Sequence, residues 1–288
     1  MSTPAVPAVT PAAGCAGTGR ELARFGDLTA LDAFLLGPVG SASAPGPPPA
    51  IRPSPSGLVH EAAAALPVEL AVEEHLPWLA ARGVRVVCAV RASTAVSLAQ
   101  TAARLRAALD FSCVVGVEVD LTAPRDVTRA GTGVLATDRE QEPWEADAQA
   151  CLKAMAAVRE QLPRGLLLTA KTGPRAGDVL AVARAAVGGG ATALVLSGSV
   201  PAGTRTLLSG PAVRPVTEGL LVRVREAMAQ GRVPRVPLVA SGGADGPESA
   251  ALFRTLGAQG VQVGTALMSD PTVLWRVSAT GPDPEEDR

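Results

Sequence analysis

Tyrosine is absent from this chain, and phenylalanine, tryptophan and tyrosine together supply only 2% of its 288 residues. Any core must therefore be packed from alanine, valine and leucine. Lysine is almost as scarce: Lys153 and Lys171 are the only two, and every other basic side chain is arginine. With the excess of alanine, glycine and proline, this reads as the codon bias of a GC-rich genome, so each surviving lysine carries information. The formal net charge of −1 provides no basic stripe for nucleic acid. Two histidines and four cysteines without CxxC or Cys/His spacing exclude a structural zinc, and no bound metal is expected. Cys88 and Cys113 lie in or beside apolar runs, where free cysteine packs as a small hydrophobe. No apolar run approaches the length of a membrane span. Residues 1–19 lack a basic n-region and are interrupted by proline, so a signal peptide is not expected and the protein is placed in the cytoplasm.

What is present is a repeating order of short apolar runs and longer amphipathic segments. Strands are predicted at 33–39, 84–90, 114–121, 165–170, 193–198, 236–241 and 261–266. Helical patterns such as 93–109 and 178–190 follow them. The strands are apolar throughout rather than alternating, as in a parallel sheet covered by helices. That order predicts an α/β protein, a (β/α)8 TIM barrel, over residues 20–279, flanked by disordered tails at 1–19 and 280–288. A doubly wound sheet is weaker, because no GxGxxG follows the first strand. Seven strands are counted where eight are needed, and the gap falls at 41–57, too proline-rich for a central strand. The second strand is therefore expected to be atypical or missing.

Two strand ends carry paired small residues. The seventh stops at Gly242-Gly243 and the eighth at Gly264-Thr265. In a (β/α) barrel these two loops commonly hold phosphate, and glycine lets backbone N–H groups approach an anion closely. The segment from Asp245 resembles a helix start, with Pro247 at a plausible first position. A tight-turn role for the glycines is the plainer alternative, and the coincidence on consecutive strands favours a cofactor phosphate.

From here the sequence resembles the dihydroorotate dehydrogenase family, FMN-dependent barrel enzymes. The resemblance is carried by "LSGPAVRPVTEGLLVRVREA" (208–227), by "VASGGADGPESAALFRTLGAQGVQVGTALMSDP" (239–271), by "PSPSGLV" (53–59) with "EEHLPWL" (73–79), and by "LLLTAKTGP" (166–174). It implies FMN as cofactor, phosphate contacts at Gly242, Gly243, Gly264 and Thr265, and a flavin contact around Ser209 and Gly210. It places Lys171 at the lysine beside the electron-rich flavin edge, where an ammonium stabilises the reduced form. A snorkelling surface lysine is the alternative reading.

The resemblance fails where the family abstracts a proton. The segment "DLTAPR" stands where the family has an Asn-x-Ser-Cys-Pro-Asn motif, which puts Ala123 at the base, and alanine cannot accept a proton. The motif's substrate-binding asparagines become Asp120 and Arg125, a third becomes His60 and a fourth falls at Gly198. The proline-rich stretch replaces the part that bears a second flavin lysine. His60, Asp120, Thr122 and Arg125 would then face one cavity, with His60, Asp120, Thr122 and Lys171 as catalytic candidates and His60 and Arg125 binding substrate. A plain Asp120–Arg125 ion pair, and a capping role for His60, are the alternatives. The expected function is an FMN-dependent oxidoreductase acting on a small molecule other than dihydroorotate. The alternative is a catalytically inactive paralogue with a regulatory or scaffold role, and a weaker one is a phosphate-binding barrel without flavin. Residues 128–143 are expected to form an active-site loop. Partners are the small-molecule substrate and, at most, a second copy in a homodimer, with neither nucleic acid nor a membrane.

Overall fold

The structure, a computed structural model, describes residues 5–41, 49–107, 113–126, 141–197, 199–203 and 206–279. Eight parallel strands form the centre: β1 Val9–Pro11, β2 Phe34–Gly40, β3 Val86–Val90, β4 Val114–Asp120, β5 Leu167–Thr172, β6 Ala193–Ser197, β7 Leu238–Ser241 and β8 Gly260–Val263. From β2 to β8 each pairs with the next in the chain, and β8 pairs with β1. Gly14 N–H donates to the Gly37 carbonyl at 2.7 Å, which ties the end of β1 to β2 and closes the ring. The fold is a (β/α)8 barrel. A two-residue strand, Leu66–Pro67, adds to the C-terminal end of β2.

The strands are apolar on both faces because both are covered. In β3, Val87 and Ala89 pack inward with Leu35 of β2, while Val86, Cys88 and Val90 pack outward under the helices. That outer layer consists of α1 (68–80, with a π-helical middle), α2 Ala95–Ala107, α3 Ala148–Gln161, α4 Val179–Gly188, α5 Arg214–Ala229, α6 Pro247–Thr255 and α7 Val273–Ala279. Side-chain caps fix two of the entries. Asp147 accepts from Gln149 and Ala150 N–H at the start of α3, and Asp178 accepts from Leu180 N–H at α4.

Two expectations need correction. The tail expected at 1–19 is part of the barrel from Val9 onward: Val9–Pro11 is buried and in register with Val261–Val263. This is the strand absent from the sequence-based count. The strand counted first from the sequence, Phe34–Gly40, is therefore the second of the barrel; register breaks occur both in it, between Leu36 and Val39, and between Val86 and Val87 of β3. The described part of the proline-rich stretch does not stand in for a barrel strand. Its Ile51–Ser54 pairs antiparallel with Gly57–Glu61, which continues through Thr206–Ser209 to Val200–Pro201 as a separate four-stranded sheet. This small sheet stands at the C-terminal ends of the barrel strands. The loop expected at 128–143 lies mostly outside the described residues, as do the tail at 280–288 and Gly198. Among the described residues no helix is long and apolar enough to cross a membrane.

Candidate active site

A cleft of about 160 Å³ opens at the C-terminal ends of the strands, under the four-stranded sheet. Gly242, Gly243, Gly264 and Thr265 line one end of it. Behind the first pair, Thr217 Oγ1 of α5 donates to the Gly242 carbonyl at 2.9 Å, and Arg214 Nε donates to the Gly243 carbonyl at 3.0 Å. Arg214 is itself paired with Asp245 at 2.6 Å. With the carbonyls tied back, the N–H groups of Gly243, Ala244 and Thr265 make no hydrogen bond among the described residues. Gly243 has φ +83°, and a Cβ there would lie 2.6 Å from the Cα of Arg214, so only glycine fits. Thr265 Oγ1 donates to Ser209 Oγ at 2.8 Å, joining this end to the small sheet. Gly210 does not line the cleft. It packs against Gly57, whose Cα would be 3.0 Å from a Cβ at Gly210.

The opposite end is built from charged side chains. Asp120 is buried at the end of β4, and its Oδ2 accepts from Arg91 Nε and Nη2 at 2.9 and 2.7 Å. Its Oδ1 accepts from Thr122 N–H at 3.1 Å and from Thr122 Oγ1 at 2.6 Å. Burial would raise this carboxyl, but Arg91, then Lys171 and Thr122, outweigh burial and hold it below the ordinary carboxylate value. The Asp120–Arg125 pair is therefore not formed. Arg125 Nη2 lies 3.5 Å from both Glu142 and Asp147 and lines no part of the cleft, contrary to the expected substrate-binding position. His60, on the small sheet, lines the cleft, with Nδ1 2.8 Å from the Glu61 carbonyl.

Lys171 emerges from β5 into the cleft floor, 12% exposed, and is not a surface lysine. Its Nζ donates to Gln262 Oε1 at 3.3 Å and stands 4.0 Å from Glu118 Oε1. Gln262 Nε2 donates to Glu118 Oε2 at 2.5 Å. Burial raises the Glu118 carboxyl, opposed by Lys171 and Gln262 and reinforced by Asp120.

A second chamber of about 380 Å³ adjoins the cleft and shares Glu61, Arg91 and Thr122 with it. Ala123, Pro124 and Arg175 are among its other walls. Arg175 donates to the Thr122 carbonyl and lies 3.8 Å from Glu145. Glu145 is 1% exposed and accepts from Thr172 Oγ1, Gly173 N–H and Arg175 N–H. Burial still pushes its carboxyl up to about 6.

Sequence reasoning missed Arg91, Arg175, Glu118, Glu145 and Gln262. Arg91 follows an apolar strand directly, the same signal that marks Lys171. Glu118 and Asp120 are two apart in a strand and so share a face. Arg175 and Glu145, on connecting segments, carry no such periodic signal.

No family model matches the chain. Whole-length relatives do. The chain is 32% identical over 94% of its length to the dihydroorotate dehydrogenase B (NAD(+)) catalytic subunit of Desulforudis audaxviator, covering 86% of that protein. The proteins of the same name from Pelobacter propionicus and Anoxybacillus flavithermus are 29% and 27% identical, over 94% and 95% of this chain and 86% of each relative.

Proposed function

The chain belongs to the dihydroorotate dehydrogenase family, and from that premise we propose that it is an FMN-dependent oxidoreductase acting on a small substrate other than dihydroorotate. The residues present fit FMN. Backbone amides of Gly243, Ala244 and Thr265 without internal partners suit its phosphate, and Ser209 adds a hydroxyl beside them. Lys171 offers the one ammonium of the cleft floor to the ring's electron-rich edge. FMN bound there would supply the acceptor for a hydride.

The observation that carries the choice of substrate is the interlocked Arg91–Asp120–Thr122 cluster beside Ala123. Removing a hydride from one carbon requires a proton to leave its neighbour, and Ala123 cannot take it. Asp120 has both oxygens engaged and is held ionised as a weak base. Cys15 also lines the cleft, but burial raises its thiol, so no thiolate is available. His60 remains. A carbonyl only accepts, so the contact with Glu61 puts the hydrogen on Nδ1 and leaves Nε2 of the neutral ring bare. We assign proton transfer to His60 Nε2. The guanidinium groups of Arg91 and Arg175 beside the second chamber favour an anionic substrate, a carboxylate with a saturable or conjugated bond next to it.

Purified protein should be yellow and release FMN on denaturation; colourless protein that cannot be reconstituted removes this reading. Anaerobic dihydroorotate should leave the flavin band unchanged, while a member of a panel of dihydro-acids bleaches it. His60→Asn should slow that bleaching roughly 100- to 10,000-fold with flavin still bound. The engagement of both Asp120 oxygens also favours a second reading, a flavin-holding but inactive paralogue. In that case no acid in the panel bleaches the flavin.

A further inference from the structure

Beneath the cleft floor lies a titratable group that the proposed chemistry leaves idle. Glu118 is 1% exposed inside the barrel, between β4 and β5 on one side and β8 on the other. Gln262 links it to Lys171: the amide N–H₂ donates to Glu118 Oε2, and the amide oxygen accepts from Nζ. Glu118 Oε1 stands 4.0 Å from Nζ, with no hydrogen-bond partner among the described residues. Thr169, in register with Glu118 on β5, has an equally unpartnered buried hydroxyl. The charged groups around the carboxyl are Lys171 from β5 and Asp120 from its own strand, the latter engaged by Arg91 at the end of β3. Neighbouring β8 and β1 add only the neutral Gln262 and Thr10, and β2 and β3 add Leu35, Val87 and Ala89.

We propose that Glu118 is a proton store coupled to the cleft through Lys171: when negative charge arrives above Lys171, Glu118 takes up one proton from solvent. A single ammonium serves the cleft on one side and Glu118 on the other. An anion in the cleft draws on its field, and the attraction that Lys171 exerts on the ionised form of Glu118 weakens. Burial already favours the protonated carboxyl, and Lys171 opposes it, so the balance turns on that one cation. Oε2 is occupied by Gln262, so Oε1 is the oxygen left for the proton. The balance is one negative charge and one proton in, and the net charge of the barrel interior is unchanged. The inference rests on the flavin reading only for the identity of the anion.

Infrared spectroscopy of the full chain tests it through the C=O stretch of a protonated carboxyl. In the first arm, which needs no cofactor, Lys171→Met should let the buried-acid band persist to higher pH than in the native protein. Adding Glu118→Gln should remove the band. An unchanged pH range overturns the coupling. In the second arm, reducing the flavin-loaded protein should produce a new acid band that is missing in Glu118→Gln. Reduction without that band also overturns the inference. Should Glu118→Gln fail to fold, Glu118→Asp must shift the band, and a band that stays in place rejects the assignment. If the protein carries no flavin, the flavin reading falls and the first arm alone decides this one.

Discussion

The two ends of the cleft are built from different materials. The end at β7 and β8 is backbone: glycine turns whose carbonyls are tied back by Arg214 and Thr217, leaving amides unengaged. The end at β3 and β4 is side chain: Arg91, Asp120, Thr122 and Arg175 each satisfy one another or a neighbouring backbone group. An anion can enter the first end without displacing anything. At the second, an incoming polar group must compete with bonds already made. The backbone end is thus pre-organised for a ligand, whereas the side-chain end is organised around itself.

The largest expected effect lies at the side-chain end. Arg91→Met leaves the Asp120 carboxylate buried and without its cation, and should cost roughly 3 kcal/mol of stability, read by urea unfolding. Adding Asp120→Asn should restore most of it. If the single variant is as stable as the native protein, the interlock is not what organises this end. Next is Gly243→Ala at the backbone end. It combines a left-handed φ with a contact on the Arg214 main chain, and should lower stability by about 1–3 kcal/mol and abolish flavin retention. Retained flavin would show that the amides there are not the anion cradle.

The smallest effect concerns Glu145, which supports Arg175 from behind. Its folded-state value, about 6, lies above the ordinary 4.5, so between those values the folded chain holds a proton that the unfolded chain has lost. Stability therefore falls as pH rises through that window. Comparing Glu145→Gln with the native protein at pH 4.5 and at neutral pH should show the difference moving toward the variant by roughly 2 kcal/mol. A pH-independent difference would mean that Glu145 stays ionised and that the side-chain end carries one more negative charge.

Much of the barrel was legible because parallel strands covered on both faces must be apolar throughout, as "VRVVCAV" and "VVGVEVDL" are. The strand that escaped is three residues long, and the prolines around it suggested a tail. Pro11 is tolerated because it is the last residue of β1, and Ala12 N–H takes up the next bond, to Val263. The glycine end was legible in the sequence since a turn this close to the Arg214 main chain needs glycine. The substrate end was readable only as a set of positions. Which arginine would meet Asp120 depended on β3 and β4 lying in register, Val90 beside Val119, so that Arg91 reached it first while Arg125 turned to Glu142 and Asp147.

The pairing of β1 with β8 has a consequence for assembly. Val9 pairs with Val261, from the opposite end of the barrel's own sequence, so a nascent chain cannot seal its ring until every strand between them has been made. Ala12 to Cys15, which follow β1, form the cleft wall against Gly264. The cleft is accordingly completed only when the ring closes, and loss of β1 would open the ring at the wall that faces Gly264.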